Sequence, residues 1–362
     1  MADGEPRELR NDTRFGQGFL TDCWRLAALS SDLRPGRPIR ITLMGQPVML
    51  GRGHSGALFA LSDICPHRAA PLSAGRFRSD GGVETVECPY HGWRFGPDGA
   101  CTAIPSLTDD QAMAVGRIQV RRYPLTESQG LVFIWVGATP ASVPDHPPPI
   151  FPGVVGGAPK LVDRIIFDAH IDHAVVGLMD PAHGPFVHRQ WWWRTAASIH
   201  AKAKAFEPRE AGFAMVRHAP SRNSRAYAIL GGQPQTEIVF RLPGLRWEHV
   251  VVGRRQLLSL TCLTPLDDRR TQVTQLVWSD HPAVSLLKPL VALGARAFLR
   301  QDAAMVALQK PGLAHDPALL WIDDADQQAK WYQQLKREWA ASRREGRPFV
   351  NPVKSVTLRW RS

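Results

Sequence analysis

The chain has 362 residues, 44% of them hydrophobic and 21% charged, enough apolar sequence for one large or two ordinary domains with real cores. Lys and Arg number 44 against 33 Asp and Glu, a formal charge of +11. No compact Lys/Arg run and no nucleic-acid motif occurs, so the charge points away from nucleic acid and toward an acidic protein partner or a generally basic surface.

Residues 1–20 are polar, hold no apolar signal core and read as a loosely ordered arm. Apolar runs at Trp24–Leu29, Ile39–Leu50 and Ala57–Leu61, split by Gly45-Gln46-Pro47 and by 51–56, read as antiparallel strands and hairpins. Cys65-Pro66-His67 follows directly. After a short strand at Val83–Glu87 it is answered by Cys88-Pro89-Tyr90-His91-Gly92-Trp93, giving the pattern C-x-H-x20-C-x2-H. Two Cys and two His can hold a Rieske 2Fe–2S cluster, with both Cys on one iron and both His on the other. The same four residues also suit a tetrahedral structural zinc, although zinc sites pair like with like, whereas each half here is mixed. Prolines after both cysteines and Gly92 after His91 suit two tight metal-presenting loops. Leu131–Val136 reads as a buried closing strand.

Thr139–Pro159 carries seven prolines and marks a boundary. The expected organisation is an arm at 1–20, a β domain at 21–140 and a second domain at 160–362. The second domain opens with a strand at Leu161–Phe167 and a helix from Asp172 to about Asp180, weakened by Gly177 and Pro181. Strands are expected near Ser198–Phe206, Thr236–Leu242, Val250–Val252, Leu257–Leu263 and Gln272–Trp278. Ala283–Lys310 reads as a helix kinked at Pro289, and Asp324–Glu345 as an amphipathic helix. Successive strands flanked by helices indicate an α+β domain. The most apolar late segment, Ser285–Leu299, carries Lys288, Pro289 and Arg296, too short and too charged to span a bilayer. Cys23, Cys101 and Cys262, left over at irregular spacing, do not form a disulfide framework, so a reducing, cytoplasmic setting is expected.

His183-Gly184-Pro185-Phe186-Val187-His188 is the second constellation. On a regular helix the two imidazoles would lie about 140° apart, so Gly184-Pro185 is expected to break the helix and let His188 swing back. Two His with one carboxylate form the facial triad of non-haem Fe(II) oxygenases. Asp180, three residues before His183, shares its helix face, where a carboxylate can accept the N–H of a metal-bound imidazole. Trp191-Trp192-Trp193 cannot all face a core in either regular structure; a pocket wall, a lid or an interface patch would explain at least one of them, with core packing and chance as the alternative.

Cys65 to Trp93 resembles the Rieske segment of aromatic-ring-hydroxylating oxygenase alpha subunits. Leu178–His188, with Asp180, His183 and His188 in a D-x2-H-x4-H pattern, resembles the iron motif of Rieske non-haem iron oxygenases, in the local form of the vanillate O-demethylase and pheophorbide a oxygenase branch. The resemblance implies an N-terminal all-β domain whose Cys65, His67, Cys88 and His91 hold the cluster, and a C-terminal antiparallel sheet flanked by helices, helix-grip-like. It implies mononuclear Fe(II) on His183 and His188, with O₂ as co-substrate. Arg300–Gln309 resembles the family's late helix, which implies Asp302 as the third ligand in preference to Asp316 or Asp280. It further implies a homotrimer in which Asp180 bridges to a cluster histidine of a neighbouring subunit. The expected partners are a ferredoxin or flavin reductase drawing on NAD(P)H and a small organic substrate, aromatic or polycyclic, which is hydroxylated or oxidatively demethylated, monooxygenation being favoured over dioxygenation. The chain departs from many relatives in carrying Val176-Gly177 where they have Glu-Asn. A Rieske electron carrier without oxygenase activity is the alternative; it leaves 160–362 unused. A bc-complex Rieske protein fits poorly, since Tyr90 stands where those proteins place a disulfide cysteine.

Overall fold

The computed structural model describes residues 13–154, 157–188, 196–221 and 224–362. The Trp191-Trp192-Trp193 run lies outside the described residues. The chain gathers into two compact units, one comprising Thr21–Ile150 and the other Phe151–Ser362 together with the segment up to Leu20.

The first unit is built from three small antiparallel sheets. Cys23–Leu29 pairs with Leu131–Val136, which pairs in turn with Leu125–Ser128. Ile39–Leu43, Gln46–Arg52 and Leu58–Ser62 form the second sheet. Arg76–Asp80, Val83–Glu87, Arg94–Phe95 and Cys101–Ala103 form the third. Leu131–Val136 is buried at every position, as its unbroken apolar run predicts.

The second unit is one eight-stranded sheet, antiparallel throughout. Its order is Leu161–Phe167, Arg270–Ser279, Arg255–Asp267, Leu245–Val252, Gln235–Arg241, Gly212–His218, Ala201–Arg209 and Val356–Arg361. Among the described residues five α-helices accompany it: α1 (Ile171–Met179), α2 (Gly184–Val187), α3 (Pro282–Leu286), α4 (Lys288–Leu313) and α5 (Gln327–Glu345). Trp331 and Tyr332 of α5 meet Phe213 and Phe240 of the sheet at centroid separations of 5.1 and 5.6 Å, closing an aromatic core. The fold is α+β, as expected. No helix among the described residues is long and apolar enough to cross a membrane.

Three expectations change. The kinked helix is two helices: Leu287 leaves helical geometry, and Pro289 falls in the first turn of α4, where a missing N–H is tolerated. Gly212–His218 and Val356–Arg361 are additional strands, and Leu245–Val252 is longer than the apolar Val250–Val252 suggested. The described part of the arm is held in place. Gly16 N donates to Asp172 Oδ2 at 2.8 Å, His170 Nε2 lies 2.8 Å from the Gly18 carbonyl, and Phe19 stacks on His170.

The same Asp172 fixes α1. Its carboxylate is fully buried and accepts from Tyr332 Oη at 2.6 Å and from Lys336 Nζ at 2.7 and 2.9 Å. Both donors lie on α5, so this buried ion pair locks the helix that leads into the histidine motif. At the other end of α1, a Cβ on Gly177 would lie 3.0 Å from Val306 Cγ2 of α4. Gly177 thus marks a close helix–helix approach.

Candidate metal centres

In the first unit, two loops repeat one backbone scheme. Cys65 N donates to Ala70 O at 2.9 Å and Ala69 N returns to Cys65 O; Cys88 N donates to Trp93 O at 2.7 Å and Gly92 N returns to Cys88 O. The fifth residue of each loop is left-handed, Ala69 at φ 55° and Gly92 at φ 70°, a conformation in which glycine carries no Cβ penalty. The first loop is secured by Asp63, 1% exposed, whose carboxylate accepts from Ser73 N and Ser73 Oγ.

The loops sort their ligands by depth. Cys65 and Cys88 belong to a buried apolar cluster with Leu61, Leu72, Phe95 and Ile104, whereas His67 and His91 are exposed. Burial pushes the Cys65 thiol up to about 11, and the Cys88 thiol beside it adds to the shift, so binding of metal at Cys65 would displace its proton. The two imidazole centroids are 4.5 Å apart, and Trp93 stacks flat on His67 at 4.7 Å with an interplanar angle of 4°. Two buried thiols and two exposed imidazoles are the donor set a Rieske cluster takes, with both Cys on one iron and both His on the other.

In the second unit, α1 stops at Met179. Asp180 Oδ1 accepts from Ala182 N at 2.7 Å, turning the chain at Pro181. His183 caps the start of α2 and His188 its end. Gly184-Pro185 does not break a helix here; it begins a four-residue turn, closed by His188 N donating to Gly184 O at 3.0 Å. Leaving helical geometry at His188 (ψ 68°) brings the two rings together. His183 Nε2 and His188 Nε2 are 3.2 Å apart, and Asp302 Oδ1, from α4, lies 3.5 and 3.2 Å from them. For metal–ligand bonds of about 2.1 Å, neighbouring ligands sit about 3.0 Å apart in an octahedral face and about 3.4 Å apart in a tetrahedron. The triangle fits a single ion held on one face.

The partners of the ring nitrogens fix both tautomers. Nδ1 of His183 lies 2.7 Å from the main-chain carbonyl of Asp180, and Nδ1 of His188 lies 2.9 Å from Gln301 Oε1. Both acceptors require Nδ1–H, which leaves each Nε2 as a lone-pair donor to metal. This corrects the expected role of Asp180 at His183: the carbonyl takes the N–H, while the carboxylate stands 3.8 Å away. Gln301 carried no sequence signal; its role follows from standing beside Asp302 on α4. Burial opposes charge on His183, but Asp302 beside it raises the imidazole's pKa. Burial also opposes charge on Asp302, yet the two histidines hold its carboxyl below the usual range. The site is thus built for an anionic oxygen among positive groups, the demand a divalent cation meets. Of the competing acids, Asp280 accepts from Gln256 N and Asp316 sits in an exposed turn at φ 48°.

The three ligands open onto a cavity of about 300 Å³, at the small end of the range for ligand sites. Leu178, Phe298 and Leu299 line it with the ligands, while Lys202, Arg246 and Glu248 line it from the sheet.

A family description, the Rieske [2Fe-2S] domain, matches residues 23–124. The chain is 33% identical over 177 residues to the oxygenase component of dicamba O-demethylase from Stenotrophomonas maltophilia, covering 47% of this chain and 48% of that protein. It is 29% identical over 172 residues to the chloroplastic chlorophyllide a oxygenase of Arabidopsis thaliana, covering 47% of this chain and 29% of that protein. The chain thus spans less than half the length of these curated relatives. In fold it is similar to dicamba monooxygenase bound to dicamba, with a TM-score of 0.72 over 90% of this chain and 99% of the other at 22% identity. The chain thus carries a Rieske domain and shares its fold with that monooxygenase.

Proposed function

We propose that this chain is the terminal oxygenase component of a multi-component system, hydroxylating or oxidatively demethylating a small organic substrate. The observation that carries this is the meeting of His183, His188 and Asp302 at 3.2 to 3.5 Å beside a cavity, in a chain that also bears a Rieske domain. An electron carrier would need only the first unit. Cys65, His67, Cys88 and His91 hold the cluster, and His183, His188 and Asp302 hold the iron. When bound, the cluster stores electrons and the Fe(II) activates O₂ beside the substrate. The protein's part is placement. The Asp180 carbonyl and Gln301 aim the imidazoles, Asp302 adds the single negative charge, and Leu178, Phe298 and Leu299 keep the face toward the cavity apolar.

The donor is a ferredoxin or flavin reductase, to which the exposed His67 and His91 offer a surface-accessible ligand pair. Asp180 is the candidate contact to a neighbouring subunit of a homotrimer; its side chain is 34% exposed. The three cysteines outside the cluster set, Cys23, Cys101 and Cys262, are free thiols that suit a reducing cytoplasm. The test is metal analysis of the wild type and of Asp302→Ala. The wild type should hold two cluster irons and one further iron, with turnover on a reconstituted donor. Asp302→Ala should lose the single iron and turnover while keeping the cluster spectrum. An Asp302→Ala protein that retains the third iron and its activity refutes the assignment.

A further inference from the structure

Arg246 lines the metal-bearing cavity from the strand Leu245–Val252 and is half-buried. It has no hydrogen-bond or ion-pair partner among the described residues. Its neighbours in the lining are differently placed. Lys202 Nζ donates to Ser362 Oγ at 2.8 Å and Lys204 Nζ to Ala219 O at 3.2 Å. Glu248, two positions along the strand on the same face, accepts from Tyr227 Oη and, at 2.8 Å, from Thr236 Oγ1. The structure therefore places an arginine with no protein partner among the described residues in the lining of a cavity whose sheet side carries Lys202, Lys204 and Arg246 with Glu248. A partly desolvated cation without a counter-ion is unfavourable; in a cavity, the natural complement is an anion on the ligand. The planar fork of Arg favours a planar carboxylate, held by two parallel hydrogen bonds.

We infer that Arg246 is the residue that recognises the substrate, and that the substrate is a compact organic acid with an apolar body. The acid group faces Arg246, and the body lies against Leu178, Phe298 and Leu299. The cavity volume of about 300 Å³ suits one or two rings rather than a polycycle. This inference rests on reading His183, His188 and Asp302 as the reacting centre, yet its test needs no turnover.

The probes are 4-fluorobenzoate, 4-fluorobenzenesulfonate and the neutral 4-fluorobenzamide, titrated calorimetrically into wild type, Arg246→Gln and Arg246→Lys. Wild type should bind both anions about tenfold or more tighter than the amide, the carboxylate most tightly. Arg246→Gln should abolish the preference. Arg246→Lys should keep the preference for anions but lose that for carboxylate over sulfonate, since an ammonium has no fork. The inference is overturned if the amide binds as tightly as the acids or if none of the three binds wild type. A preference that persists in Arg246→Gln also overturns it, because the metal and not Arg246 would then be holding the acid. Failure of the oxygenase reading appears separately, as a missing third iron in wild type.

Discussion

Gln301 is the residue by which the assignment of the iron site is most sharply tested, because its only link to the metal is one hydrogen bond. Gln301→Leu removes the acceptor 2.9 Å from His188 Nδ1 and leaves that N–H without a partner in a residue 7% exposed. A neutral hydrogen bond contributes about 0.5–1.5 kcal/mol net, and an unsatisfied buried donor costs about 1–3 kcal/mol. A loss of about 1–3 kcal/mol corresponds to about 5- to 150-fold weaker iron binding. That brackets the 10- to 100-fold typical when a metal-bound histidine loses its partner. Gln301→Glu keeps an acceptor and makes His188 more basic, so it should bind iron at least as well as wild type. The assay is competition for Fe(II) against a chromophoric chelator, with the cluster absorbance as an internal control. If Gln301→Leu matches wild type, or if Gln301→Glu loses as much as Gln301→Leu, the hydrogen bond does not orient the ligand.

Asp172→Ala should destabilise the second unit by about 3–5 kcal/mol, because it strands a buried ammonium at Lys336, 2% exposed; urea melts should show it, and the double change Asp172→Leu with Lys336→Leu should recover much of the loss. Burial lowers the pKa of His170, His173 and His218 from 6.5. The unfolded chain therefore takes up protons first, and stability is full above about pH 6.5 and falls as pH drops through it. Urea midpoints of the chelated protein between about pH 7.5 and 5.5 should trace that fall, and a flat profile contradicts it. Asp180→Asn keeps the main-chain acceptor of His183 and the cap on Ala182. Iron affinity should change less than about tenfold, while reoxidation of the cluster by substrate and O₂ slows; loss of iron instead would place the carboxylate at the metal.

The candidate metal sites were legible in the chain because each is local. Cys65-Pro66-His67 and Cys88-Pro89-Tyr90-His91 each fit one closed loop, and His183 and His188 flank one four-residue turn. Short-range spacing is all such a turn needs. The apolar run Leu131–Val136 likewise declared a buried strand without help from the rest of the chain. What only the tertiary structure decided involves residues distant in sequence. Asp302 and Gln301 reach the histidines because α1 and α4 approach closely at Gly177 and Val306. The role of Asp172 is not visible in the sequence because its partners Gly16, Tyr332 and Lys336 lie on other segments. The strand Leu245–Val252 is only half legible in hydrophobic periodicity. Arg246 and Glu248 interrupt its apolar pattern, and they do so because that face of the sheet lines the cavity. Hydrophobic periodicity reports what a core buries; a binding surface inside a fold breaks the pattern and becomes visible only once the sheet has closed around it.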